Sequence, residues 1–97
     1  MPEPMLDAQI VEALKALPGW RREGDQILRD FEFPDFVAAL SFIVEVGTLA
    51  ERADHHPGIV NTYNKVTLAL SSHDAGGITT RDLRLAAEID ERAPTNS

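Results

Sequence analysis

Apolar residues at the start of the chain recur first at helical spacing and then in alternation. Leu6, Ile10, Leu14 and Leu17 stand at i, i+4, i+8 and i+11, with Val11 and Ala13 beside them. That stripe predicts an amphipathic helix, with Asp7 as its N-cap and Pro18-Gly19 as its stop. Trp20 to Glu23 reads as a short strand, Gly24-Asp25 as a two-residue hairpin turn, and Gln26 to Phe33 as the return strand. Ile27, Phe31 and Phe33 share one face of that strand, and Asp30 and Glu32 the other. Leu28 falls on the polar face and spoils the alternation.

The next stretch returns to helical spacing. A long helix is predicted over 34–52, with Pro34 at its first position and Asp35 in its first turn. Its apolar stripe is read as Phe36, Leu40, Ile43, Gly47 and Ala50, widened by Val37 and Val44, and this face is expected to pack on the sheet. Gly47 inside the helix costs about 1 kcal/mol against Ala; close approach of another backbone would account for it. His56-Pro57-Gly58 is a break. Ile59 to Tyr63 and Lys65 to Ser72 read as strands joined by a tight turn at Asn64. In the second, Val66, Leu68 and Leu70 alternate with Lys65, Thr67, Ala69 and Ser71. Ala75-Gly76-Gly77 is a loop, and Thr79 caps a last helix carrying Leu85, Ala86 and Ile89.

The order α-β-β-α-β-β-α predicts an α+β fold, a four-stranded antiparallel sheet with helices packed on one face. Residues 1–97 are expected to form a single domain. Residues 1–5 and 93–97 are expected to fray. A strand on the sheet's edge would suit pairing with another copy of the chain. A chain of 97 residues buries only a modest core, which favours such association.

Charge narrows the functional classes. The net charge is −7 and the nine basic residues are scattered, with only Arg21 and Arg22 adjacent. That argues against nucleic acid or an anionic membrane as the main partner. There is no cysteine, so disulfides, thiolate nucleophiles and Cys-based zinc sites are excluded. No apolar run approaches the ~20 residues that span a bilayer. The N-terminus lacks the basic and apolar regions of a signal peptide, so a cytoplasmic location is expected.

All three histidines, His55, His56 and His73, lie between Glu51 and Asp82. An imidazole is the side chain whose ordinary titration falls near neutral pH. Three together suggest proton transfer, metal binding or a pH switch. His55, His56, His73, Asp54 and Asp74 are all possible metal ligands. Against a metal, adjacent histidines chelate poorly, and no His-x-x-x-His or Glu-x-x-His spacing occurs. Asp82 has a structural role in view, since Thr79-Thr80-Arg81-Asp82 is close to a capping box. Glu51 and Asp54 stand near a helix C-terminus, where a negative charge is unfavourable; orienting an imidazole would explain one of them. Gly76-Gly77 lacks the Lys and the spacing of a phosphate loop. Trp20 and the four Phe residues are assigned to the core.

Asp54-His55-His56-Pro57, Tyr63-Asn64-Lys65, Ser71-Ser72-His73-Asp74 and Thr80-Arg81-Asp82 resemble the pterin-4a-carbinolamine dehydratase family. Gly19-Trp20 and the Phe-x-Phe strand before the long helix extend the resemblance over nearly the whole chain. Its specific part is His-His-Pro paired with Ser-x-His at this separation. The resemblance implies the same α+β fold. It implies dehydration of 4a-hydroxytetrahydropterin to quinonoid dihydropterin, which recycles the cofactor of aromatic amino acid hydroxylases. No metal and no cofactor would be required. His55 and His73 would flank the 4a-hydroxyl and protonate it as it leaves; His56 would bind the pterin ring and help take the N5 proton. The backbone of His55, His56 and Pro57, and of Ser72, His73, Asp74 and Ala75, would contact the pterin's polar edge. Glu51 and Asp82 would support the site. Family members form dimers or tetramers, so a homodimer or homotetramer is implied, with a functional link to a hydroxylase. Gly58 and Ile59 depart from the acidic and aromatic residues that many members carry after His-His-Pro. The resemblance leaves open a non-catalytic interaction module, such as a Rubisco assembly factor or a dimerisation cofactor.

Overall fold

Alternation and helical spacing in the sequence resolve into three helices and four strands. The computed structural model describes residues 3–93. Helix α1 spans Asp7–Leu14, strand β1 Arg21–Glu23, β2 Gln26–Glu32, helix α2 Phe36–Ala53, β3 Gly58–Thr62, β4 Lys65–Leu70 and helix α3 Thr80–Arg92. A 3-10 turn, His73–Ala75, lies between β4 and α3. The sheet order is β1-β2-β4-β3, with every pair antiparallel. The predicted order and fold class therefore hold. Among the described residues, no helix is long and apolar enough to cross a membrane.

The sheet's inner face follows the period of two. Ile27 and Phe31 of β2 and Val66, Leu68 and Leu70 of β4 are buried, and each lies opposite an inward partner across the β2–β4 ladder. Leu28 points the other way, yet is buried too. It sits between Arg21 and Ala69 in register. Gly24 takes a left-handed conformation (φ 64°) in the two-residue turn, as a tight hairpin requires. Trp20 is buried, and its indole Nε1 donates to Asp90 of α3 at 2.9 Å. Arg29 also reaches Asp90 (2.6 Å) and lies over the ring of Phe31.

Several expected boundaries move. The N-cap of α1 is Leu6, whose N–H donates to Gln9 Oε1 at 2.8 Å, and Asp7 is the first helical residue. Asp7 there pairs with Arg22 and complements the helix dipole. Pro34 precedes α2 instead of opening it. Asp35 is the N-cap, accepting from the Ala38 N–H at 2.8 Å. The second hairpin turns at Tyr63-Asn64, with Tyr63 left-handed (φ 51°). β4 ends at Leu70, and Ser72 forms an isolated bridge to Gly77. Of the terminal stretches expected to fray, residues 1–2 and 94–97 lie outside the described residues; the Met5 N–H donates to Ile78 O at 2.8 Å.

The largest correction concerns the face of α2. Its buried residues are Ala39, Phe42, Val46, Leu49 and Ala50. Of the stripe read from the sequence, Phe36, Val37, Leu40 and Val44 are exposed, whereas Ala50 is buried and Ile43 is half-buried against the core. The helix is apolar on two faces, so spacing alone did not determine its rotation. Three of the four Phe residues are buried, and Phe36 is not. Among the described residues, no other segment lies within 4 Å of where a Cβ on Gly47 would stand, so the close backbone approach expected there is not found.

Candidate active site

The site begins where α2 ends. Asp54 is left-handed (φ 51°), and the chain reverses there. The Asp54 N–H donates to Glu51 O and the His55 N–H to Ala50 O (3.2 and 3.0 Å). This is the closing pattern that satisfies the last helical carbonyls. It turns His55 inward, where the residue is buried. On the far side, the Ser72–Gly77 bridge closes the end of β4, and Thr79 starts α3.

Asp82 joins these three segments. It is fully buried, and its Oδ1 lies 2.5 Å from His55 Nε2. Its Oδ2 accepts from Ser72 Oγ and from the Thr79 N–H, both at 2.9 Å. Ser72 Oγ also lies 2.9 Å from Thr79 Oγ1. An ionised carboxylate only accepts. Against an ionised Asp82, His55 Nε2 is the donor of this bond, and Nδ1 is left for other work.

The other imidazoles stand close by through the chain. His56 follows His55, and its Nε2 lies 2.5 Å from Glu51 Oε1. His73 follows Ser72 and opens the 3-10 turn. Each is one residue from a side chain held by Asp82, and both are exposed. Among the described residues, neither ring nitrogen of His73 is hydrogen-bonded. Asp74 pairs with Arg81 at 2.6 Å. The Arg81 hydrogen bond holds its carboxyl below the usual range. Among the described residues, no group of three or more His, Asp or Glu converges as metal ligands would.

A cavity of about 280 Å³ opens beside His55, lined by Arg52, Arg81, Arg84, Leu85 and Glu88 among others. The sequence reading missed these arginines. Arg81 and Arg84 stand three apart on one helix, the spacing that places side chains on one face; that was the available signal. It also missed the Ser72–Asp82 bond, which binds the end of β4 to α3.

The family model described as "Pterin 4 alpha carbinolamine dehydratase" matches residues 3–92. The chain belongs to the pterin 4 alpha carbinolamine dehydratase family. A relative from Roseiflexus castenholzii, named "Putative pterin-4-alpha-carbinolamine dehydratase", is 53% identical over 85 residues, covering 88% of this chain and 91% of its own. One of the same name from Thermomicrobium roseum is 47% identical over 87 residues, covering 90% and 94%. The crystal structure of a transcriptional coactivator/pterin dehydratase from Brucella melitensis superposes with a TM-score of 0.91 at 34% identity, covering 95% of this chain and 100% of that one. A pterin dehydratase-like protein identified as a RuBisCO assembly factor in the alpha-carboxysome has a TM-score of 0.66 at 23% identity, covering 77% and 89%. That likeness concerns the dehydratase fold alone.

Proposed function

We propose that the chain dehydrates 4a-hydroxytetrahydropterin to quinonoid dihydropterin by histidine acid–base catalysis, in the cytoplasm, as part of tetrahydropterin recycling for an aromatic amino acid hydroxylase. The observation that carries this is the pair of imidazoles, His55 and His56, each with Nε2 held by a carboxylate. A carboxylate partner fixes the tautomer and the ring, and leaves Nδ1 to exchange a proton. Among the described residues His73 has no such tie, and it is exposed.

The reaction needs one proton delivered and one removed. The lone pair left when N5 loses its proton forms the C4a–N5 double bond, the C4a–O bond breaks, and a protonated hydroxyl leaves as water. His55 and His73 flank the departing hydroxyl, one of them as imidazolium supplying its single proton, and His56 takes the N5 proton. The backbone of His55, His56 and Pro57 and of Ser72, His73, Asp74 and Ala75 contacts the pterin. Asp82 and Glu51 hold His55 and His56 in position. Such assistance is worth ~10²–10⁴ in rate. No metal is needed for so activated a carbinolamine.

The test is a coupled assay following quinonoid dihydropterin. His73→Ala is expected to lower kcat by about 10²-fold or more and to leave the unfolding midpoint nearly unchanged, because the side chain is exposed and unbonded. A folded protein that does not exceed the buffer rate would instead make the chain an interaction module.

Two surfaces support a homodimer or homotetramer. β3 is an edge strand, and Gly58–Thr62 carries no charge and no proline to block pairing. On α2, Phe36, Val37, Leu40 and Val44 form an exposed stripe that runs toward the open space at Gly47. A second copy of the chain would bring the same uncharged edge and the same apolar stripe to such a contact.

A further inference from the structure

The cavity beside His55 has a charge pattern that proton transfer does not use. Arg52, Arg81 and Arg84 line it, against the one carboxylate of Glu88. These are three of the nine basic residues of a chain whose net charge is −7. Among the described residues, Arg52 and Arg84 enter no ion pair, and both are exposed. Arg81 gives one nitrogen to Asp74, but its Nε is shut off from solvent and has no acceptor. That nitrogen is closed off from the cavity as well, so Arg81 faces it through the accessible part of its side chain, which is 34% exposed. Thr80, the first residue of α3, also lines the cavity. Most N–H groups of that helix end are already bonded within the capping box, so the charge of the cavity is set by its arginines.

Ordinary roles account for only part of this. Arg52 lies in the last turn of α2, where a cation suits the dipole. Arg84 stands four residues before Glu88, at the spacing of a helical ion pair. No ion pair between them is formed. Neither role explains why the guanidinium groups share one cavity with His55. Guanidinium groups bind oxyanions through paired N–H donors.

We propose that this cavity holds an oxyanion, and that the oxyanion is the charged end of the substrate's side chain, a phosphate ester or a carboxylate. The proposal rests on the dehydratase reading, because His55 lines the same cavity. His55 and the arginines line one cavity, so a ligand that His55 engages there meets their charge. The site then selects carbinolamines with an anionic tail over those with a neutral one.

The experiment compares two carbinolamines that share a pterin ring. One has a neutral polyhydroxylated side chain, and the other ends in a phosphate ester. The phosphorylated substrate is expected to show about tenfold higher kcat/KM, mostly through KM, from charge-assisted hydrogen bonds. The ratio should fall as salt is added. Arg52→Gln and Arg84→Gln should each lower the ratio. Both residues are exposed and Gln is a good helix former, so the variants should fold. Equal kcat/KM for the two substrates, or a ratio unmoved by either substitution, overturns the proposal.

Titration with inorganic phosphate, read by NMR at Arg81 Nε–H and the Thr80 amide, separates this from the activity itself. Saturable shifts that Arg84→Gln abolishes uphold the oxyanion pocket even where no carbinolamine is turned over. Phosphate binding without any substrate preference overturns the side-chain assignment and makes free phosphate the occupant. No shifts and no preference overturn the pocket.

Discussion

Asp82 has two tasks, and only one could be read from neighbouring letters. Thr79-x-x-Asp82 announces a capping box, and the structure forms it: the Thr79 N–H donates to Asp82 Oδ2 at 2.9 Å. The second task depends on groups 10 and 27 positions away, Ser72 and His55. No local pattern carries such a contact. His55 itself was legible as chemistry because no helical or strand period claimed it. Its burial was not, because the reversal at Asp54 depends on a left-handed non-glycine residue. Asp82→Ala should therefore cost far more than a lost cap. Breaking a buried, hydrogen-bonded pair costs about 3–5 kcal/mol, whereas a cap alone costs about 0.5–2 kcal/mol. Urea unfolding measures the difference. Asp82→Asn, which retains an acceptor oxygen, should recover part of it. A loss for Asp82→Ala within the capping range would mean that the His55 contact contributes little to stability.

At the scale of elements, the strands were easier to read than the long helix. β4 has one buried face, so its period of two has a single solution, and Val66, Leu68 and Leu70 fill it. α2 has apolar residues on both sides, and a 3.6-residue period fits the stripe through Leu40 and Val44 as well as the one through Phe42 and Val46. Burial chose the second. Elements are also joined by charge. Asp74 in the 3-10 turn pairs with Arg81 in α3, and that hydrogen bond holds the Asp74 carboxyl below its ordinary value. For a carboxylate with a depressed folded value, the stabilisation is complete above the unfolded pKa, about 3.9. It is lost as pH falls through the lower folded value. Arg81→Gln should move the Asp74 titration upward, as followed by carboxyl carbon shifts. A titration that stays put would show that another group sets it. The ion pair is exposed, so the change in overall stability should be small.

The whole molecule leaves apolar surface where a monomer would be expected to carry charge. Val37 and Val44 on α2 are 70% and 69% exposed, and Val60 on β3 is 64% exposed. The outward direction of Val37 and Val44 was hidden in the sequence because α2 is apolar on two faces. Gly47 gave the clearest hint, since a glycine inside a helix is costly unless something comes close, and among the described residues no other segment comes within 4 Å of a Cβ placed there. The proposed homo-oligomer resolves this, and it makes a prediction that differs from a purely catalytic account. Val44→Glu places a charge in the middle of the stripe. In an isolated chain that side chain stands in solvent, so the far-UV spectrum should not change. In an assembly it would bury an unpaired carboxylate, which is strongly unfavourable. Sedimentation should therefore show a shift to a smaller species for Val44→Glu. Added salt should strengthen the wild-type assembly by screening repulsion between copies of net charge −7. A wild-type chain that sediments as a monomer at concentrations of about 100 μM, where interfaces of even modest affinity are occupied, would rule out both surfaces as contacts between copies.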